Sequence, residues 1–185
     1  MGFLKYAMKA AKIGSNHYFN QPRVKGFLAE RDVHMALKDE KHRFHDVKIH
    51  GKKTTQIDHI IVNKKGIIVI ETKNYAGVII GKKNEQHWIQ IVYGKKRHFM
   101  NPIIQNQFHI KTLKEFLPEK HPNISSIIVF SSKSDLNLEV ITPVIKIHDL
   151  KNYIVQLPDD SIDEQGIEDI ATIIKKLKDG THGLI

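Results

Sequence analysis

The chain has 185 residues, with 29 Lys+Arg against 20 Asp+Glu, 12 His, no Cys and a formal net charge of +9. That length suits one domain with a substantial core, and the missing cysteines exclude disulfide scaffolds, thiolate zinc sites and cysteine nucleophiles together. No apolar run approaches the ~20 residues of a transmembrane helix and the start lacks a secretory signal, so a soluble cytoplasmic protein is the expectation.

Residues 1–22 place Phe3, Leu4, Ala7, Met8 and Ala11 at helical spacing with Lys5, Lys9 and Lys12 between them, a short basic amphipathic segment. It could pack on the body, contact phosphates or lie on a membrane surface. Residues 24–39 read as a helix carried by Val24, Phe27, Leu28, Val33, Met35, Ala36 and Leu37. A polar strand follows at 44–50. Two β-rich runs, 54–62 and 67–75, then flank Asn63-Lys64-Lys65-Gly66, a hairpin turn by composition. The run Ile67-Ile68-Val69-Ile70 is apolar on both faces and predicts a central strand.

Further strands are predicted at 78–80, 88–93 and 97–99. Asn101-Pro102 opens a helix over 103–117. Strands at 124–131 and 144–147 and a closing amphipathic helix at 162–177 complete the pattern. This order indicates an α/β fold, a central mixed β-sheet flanked by α-helices. Residues 23–156 form the main domain in this reading, and 157–185 an acidic helical tail packed on it.

Charge divides along the same boundary. Residues 1–156 hold 26 basic and 13 acidic side chains, and 157–185 hold 3 and 7. A body this basic attracts polyanions such as nucleic acid or anionic lipid, the alternative being a solvated lysine-rich surface.

If the 63–66 turn has an even count, Val62 faces Ile67, which sets Asp58 opposite Glu71 and Gln56 opposite Lys73. All four side chains then project from one face. Opposed Cβ atoms lie ~5 Å apart, so the carboxylates converge, which is unfavourable without a cation. Lys73 supplies one charge, and a divalent cation would be a better partner. Oxygen ligands without Cys select Mg²⁺ or Mn²⁺ over Zn²⁺. The alternative is a surface salt-bridge cluster. His42, His45, His50 and His59 lack metal-site spacing and are read as surface or nucleic-acid-facing. Trp88 is read as core. Lys82, Lys83, Lys95, Lys96 and Arg97 would form a basic rim able to hold phosphates, or a solvated loop.

Asp58 with Glu71-Thr72-Lys73 matches the D…ExK pattern of restriction-endonuclease-like nucleases. The wider text adds Gly26-Phe27-Leu28-Ala29-Glu30, residues 55–62, residues 66–75, Trp88, and Asn101-Pro102-Ile103-Ile104-Gln105-Asn106 with His109. Together, over about 24–131, these resemble the nuclease-related domain family within the PD-(D/E)xK superfamily. The resemblance implies a restriction-endonuclease-like core and a metal-dependent nuclease acting on nucleic acid, DNA favoured over RNA. It makes Asp58 and Glu71 the ligands of Mg²⁺ or Mn²⁺, Lys73 the residue that orients or deprotonates water, and Glu30 a further acidic position. Ala29 stands where the family often has Gly. Gln56 and Gln105 become candidates for contacting phosphate or water. A homodimer is an expectation, since nucleases of this fold often cut both strands as dimers. The competing expectation is a nucleic-acid-binding or adaptor module that kept the fold.

Overall fold

The computed structural model describes residues 30–180. The basic N-terminal segment expected at 1–22 and the opening of the helix expected at 24–39 lie outside the described residues. Within them, helix α1 covers 30–36. Strands β1 (His42–His50), β2 (Thr54–Asn63), β3 (Gly66–Lys73), β4 (Gly77–Lys82), β5 (His87–Val92) and β6 (Lys95–Met100) lead to helix α2 (Pro102–Lys114). Then come β7 (Ile124–Phe130), β8 (Ser134–Glu139), β9 (Val144–Lys146), a 3-10 turn, α3 (Leu150–Gln156) and α4 (Glu164–Lys178).

The α/β class is as expected. Its strands divide into a five-stranded sheet ordered β1-β2-β3-β7-β9 and a four-stranded sheet ordered β6-β5-β4-β8. Both mix antiparallel hairpins with parallel crossovers, β3 with β7 and β4 with β8. Strand β8 and helix α3 were not predicted from the sequence: β8, Ser134-Asp135-Leu136-Asn137-Leu138-Glu139, looks like a polar loop until β4 pairs with it.

The central strand sets the layers. Along β3, Ile67 and Val69 face one side with Leu113 of α2 and Ile170, Ile174 and Leu177 of α4. Ile68 and Ile70 face the other, with Val33 of α1 and Leu150 and Ile154 of α3. A third cluster, Ile79, Trp88, Ile103, Ile128 and Phe130, joins the two sheets. Trp88 is fully buried, as expected. Its indole N–H donates to the Lys82 carbonyl, 3.0 Å away.

The β2–β3 hairpin closes through Asn63↔Gly66, in the predicted register. The Asn63 side chain accepts from the Lys65 amide at 2.8 Å and Gly66 takes the left-handed conformation, φ +93°. A Cβ there would come within 2.5 Å of the Asn123 carbonyl, so the turn requires glycine. Helix α2 begins at Asn101, whose carboxamide accepts from the Ile103 amide at 2.9 Å and donates to the carbonyls of Lys82, Lys83 and Glu85. One buried side chain therefore caps the helix and ties down the β4–β5 turn. Asn106 fastens the same helix to the sheet, donating to the Val69 carbonyl and the Ser126 hydroxyl.

Candidate active site

The hairpin register that predicts the site is kept only part of the way. Pairing runs from Asn63↔Gly66 to His59↔Ile70 and stops before Asp58 and Glu71. Asp58 is not ladder-paired to Glu71; its carboxylate accepts the Thr72 amide at 2.8 Å instead. A side-chain acceptor replaces a main-chain one where the strands part.

On the other edge of β2, the β1 pairing skips the Asp46 and Asp58 positions between His45↔His59 and Val47↔Ile57. Asp46 has φ +58°. Both strands change faces there. Ile60 and Val62 face α2 and α4 before the irregularity, and Val47, Ile49 and Ile57 face the same helices beyond it.

That change of phase corrects the predicted face. Thr55, not Gln56, points toward α2, where its hydroxyl lies 2.5 Å from His109 Nδ1. Gln56 is exposed and donates to the Asp46 carboxylate. It stands outside the group formed by Glu71 and Lys73.

Glu71 continues the Ile67–Val69 face of β3 and is 2% exposed. Its Oε1 accepts from the Lys73 ammonium, and its Oε2 lies 3.1 Å from His109 Nε2. Lys73 also donates to Gln105 Oε1 at 2.9 Å. A carboxylate only accepts, so His109 donates through Nε2–H. In the neutral ring Nδ1 is then an acceptor, and the Thr55 hydroxyl donates to it. Thr55, His109, Glu71, Lys73 and Gln105 thus form one chain of hydrogen bonds from β2 through α2 to β3.

Electrostatically the site is an excess of carboxylates in a poorly hydrated place. Burial first, and then the Glu71 charge, push the Asp58 carboxyl up to about 7, against the opposing pull of the Thr72 amide and Lys73. Glu30, exposed at the start of the described α1, has its carboxyl raised by partial burial and then by the Asp46 and Glu71 carboxylates. Asp58 and Glu71 are thus joined electrostatically by Glu30 and Asp46. Among the described residues no three His, Cys, Asp or Glu side chains close into a metal cage. The donors that could hold a cation here are the Asp58 and Glu71 carboxylates.

Among the histidines, one departs from the surface reading. His59 is buried, and burial followed by the His45 and His34 charges pushes its imidazole down to about 3.

The five predicted phosphate-binding cations separate. Lys82 is ion-paired with Glu139 at 3.1 Å. Lys83 is exposed in the β4–β5 turn, and Lys95, Lys96 and Arg97 are exposed along β6, an edge strand. No acidic side chain among the described residues forms a salt bridge with these last four. The acidic tail engages other lysines: Asp159 pairs with Lys64 and Lys65 at the far end of the β2–β3 hairpin, and Glu168 with Lys41.

The family model for the nuclease-related domain matches residues 25–131. The chain belongs to the nuclease-related domain family. An uncharacterized protein of Bacillus anthracis is 38% identical over 110 residues, 56% of this chain and 52% of that relative. The chain therefore spans about half the length of the curated relative it matches. No solved structure matches it.

The matched span carries the site from Glu30 to His109 and ends just after β7. Asp46, Thr55 and His109 were not singled out as site residues from the sequence. For Asp46 and Thr55 the available signal was a slip in apolar alternation, Phe44 to Val47 and Ile57 to Ile60, each three apart instead of two. For His109 it was the four-residue helical step from Gln105, which places both on one face of α2.

Proposed function

We propose that this nuclease-related domain is a metal-dependent nuclease that hydrolyses phosphodiester bonds in nucleic acid, DNA favoured over RNA. The observation that carries the reading is the Asp58–Glu71–Lys73 cluster. Two carboxylates are coupled electrostatically in a desolvated place, and the described ammonium in contact with Glu71 is that of Lys73. A fold gains nothing in stability from such a cluster, since the Glu71 charge raises the cost of ionising Asp58.

The donor set fits a hard divalent cation. Asp58 and Glu71 would hold Mg²⁺ or Mn²⁺, ions that favour carboxylate oxygen and keep several waters. When bound, the cation supplies acidification of water and neutralisation of developing phosphate charge. The protein's own groups do the rest. Lys73, anchored between Glu71 and Gln105, orients the attacking water and offers its ammonium to the phosphate. His109 fixes the plane of the Glu71 carboxylate. Lys83, Lys95, Lys96 and Arg97 hold the flanking backbone. A water nucleophile explains the lack of need for a Ser, Cys or Tyr nucleophile.

The test is a cleavage panel of single-stranded, duplex and branched DNA and RNA in Mg²⁺, Mn²⁺ or EDTA. Cleavage should require the cation and vanish in Asp58→Ala, Glu71→Ala and Lys73→Ala while nucleic-acid binding persists. Robust Mg²⁺-dependent cleavage by all three variants would remove the assignment. Binding should weaken steeply with salt, and a flat response would count against nucleic acid as the partner.

A further inference from the structure

The β5–β6 hairpin ends in a feature the fold does not call for. Its two-residue turn is Tyr93-Gly94, closed by Val92↔Lys95. Both turn residues have positive φ, +49° and +71°, the mirror-image turn whose favoured sequence is Asn-Gly or Asp-Gly. A bulky aromatic in that conformation is a backbone outlier. Burial does not compensate, for Tyr93 is 98% exposed, the most exposed of the large hydrophobic side chains in the described residues. A strained, fully exposed aromatic at a hairpin tip points to a ligand surface.

Its surroundings specify the ligand. Lys95, Lys96, Arg97 and His98 follow it along the edge strand, all exposed. None forms a salt bridge with a described acidic residue. By strand alternation Lys95 and Arg97 share the face of Phe99, whose ring packs 4.6 Å from that of Tyr75, two residues beyond Lys73. Gln90 donates to the Ala76 carbonyl at 2.9 Å, fastening β5 to the segment that leaves the candidate active site. These two contacts tie the arm to Tyr75 and Ala76, in the segment that follows Lys73.

We infer that this hairpin is a binding arm for single-stranded nucleic acid, in which Tyr93 stacks on an unpaired base and Lys95, Lys96 and Arg97 take the adjacent phosphates. The pairing of an aromatic platform with a cationic track is what an unstacked strand offers partners for, whereas a closed duplex hides its base faces. The inference rests on the nucleic-acid reading above and narrows its substrate to single-stranded or splayed strands near the cleavage site.

The experiment measures binding of a labelled oligo(dT) of about 15 nucleotides, and of a blunt duplex of the same length, by fluorescence anisotropy in EDTA. Tyr93→Ala should weaken oligo(dT) binding roughly 5- to 150-fold, the range of one lost base stack, and duplex binding far less. Tyr93→Trp and Tyr93→Phe should restore it. Tyr93→Asn, which suits the turn, should match or exceed the wild-type melting temperature and still bind as poorly as alanine. Equal oligo(dT) affinity for wild type and Tyr93→Ala would overturn the arm. So would an equal loss on duplex and single strand, or a Tyr93 dependence seen on phosphatidylserine vesicles and absent on oligonucleotide. Because EDTA silences cleavage, the arm and the catalytic reading fail separately: metal-dependent cleavage lost in Glu71→Ala concerns only the latter.

Discussion

Asp58→Asn should make the metal-free protein more stable, and the size of the gain follows from the site. Ionising Asp58 in place is disfavoured because the carboxyl titrates at about 7 instead of 3.8. At about 1.4 kcal/mol per pH unit, that difference costs on the order of 4 kcal/mol at pH 8. The folded state holds its proton up to about 7, whereas the unfolded chain gives it up near 3.8. Stability therefore falls as pH rises through that window and is level above it. At pH 5 the cost has shrunk to less than about 2 kcal/mol.

Asparagine is isosteric, keeps an oxygen for the Thr72 amide and never ionises. Thermal melts in EDTA should then show the variant ahead of wild type by several degrees at pH 8, taking ~2–4 °C per kcal/mol for a chain of this size, with the gap narrowing toward pH 5. Saturating Mg²⁺ should narrow that lead without reversing it. At a hundredfold excess over Kd the cation adds about 2.7 kcal/mol to a protein that binds it and nothing to one that does not. If Asp58→Asn were no more stable than wild type at pH 8 in EDTA, or if Mg²⁺ raised both melting temperatures equally, the picture of a desolvated carboxylate pair awaiting a cation would be wrong.

His59 gives the opposite slope. Its imidazole titrates at about 3 when folded and near 6.5 when unfolded, so stability is lost as pH falls through that window, in total on the order of 5 kcal/mol. His59→Asn should flatten the acid limb of a urea-denaturation series, and an unchanged limb would refute the assignment. Thr55→Val removes the hydroxyl that holds His109 in its Nδ1-accepting form. Loss of such an outer partner should weaken Mn²⁺ binding about 10- to 100-fold in calorimetry, and wild-type affinity would show that His109 does not position Glu71. Gly81→Ala places a Cβ 2.3–2.4 Å from the Trp88 ring, an overpacking that should cost about 1–3 kcal/mol in equilibrium unfolding. Full stability there would mean the ring shifts freely.

The sequence made the hairpin legible because two independent signals agreed, β-rich runs on either side and a turn ending in glycine. That agreement set the register through His59↔Ile70. Helix α2 was equally plain from Asn101-Pro102, although it ends at Lys114 and not at Leu117. Strand β8 was not, because its residues alternate Asp, Asn and Glu with Leu, and its membership depends on β4 alongside it. The segment 150–156 was missed for its brevity. At seven residues it is below the length at which helical periodicity stands out, and burial of Leu150 and Ile154 against the sheet holds it.

The candidate-site face shows why a correct register still yields a wrong neighbour. Counting by twos from Glu71 across the hairpin names Gln56 as the companion of Lys73, and counting by twos is valid only on an unbroken strand. Phe44–Val47 and Ile57–Ile60 each span three residues, so both strands slip phase at the same place, around Asp46 and Asp58. An isolated slip could pass for a stray apolar residue. Two slips in strands that pair with each other mark a shared irregularity. The slip releases Asp58 from the ladder so that its carboxylate reaches the Thr72 amide, and it turns Thr55 inward to meet His109. The residue at which the strands part is thus the one the proposed chemistry needs. Restoring regular alternation would return Gln56 to the α2 face and take Thr55, and with it the hold on Glu71, away.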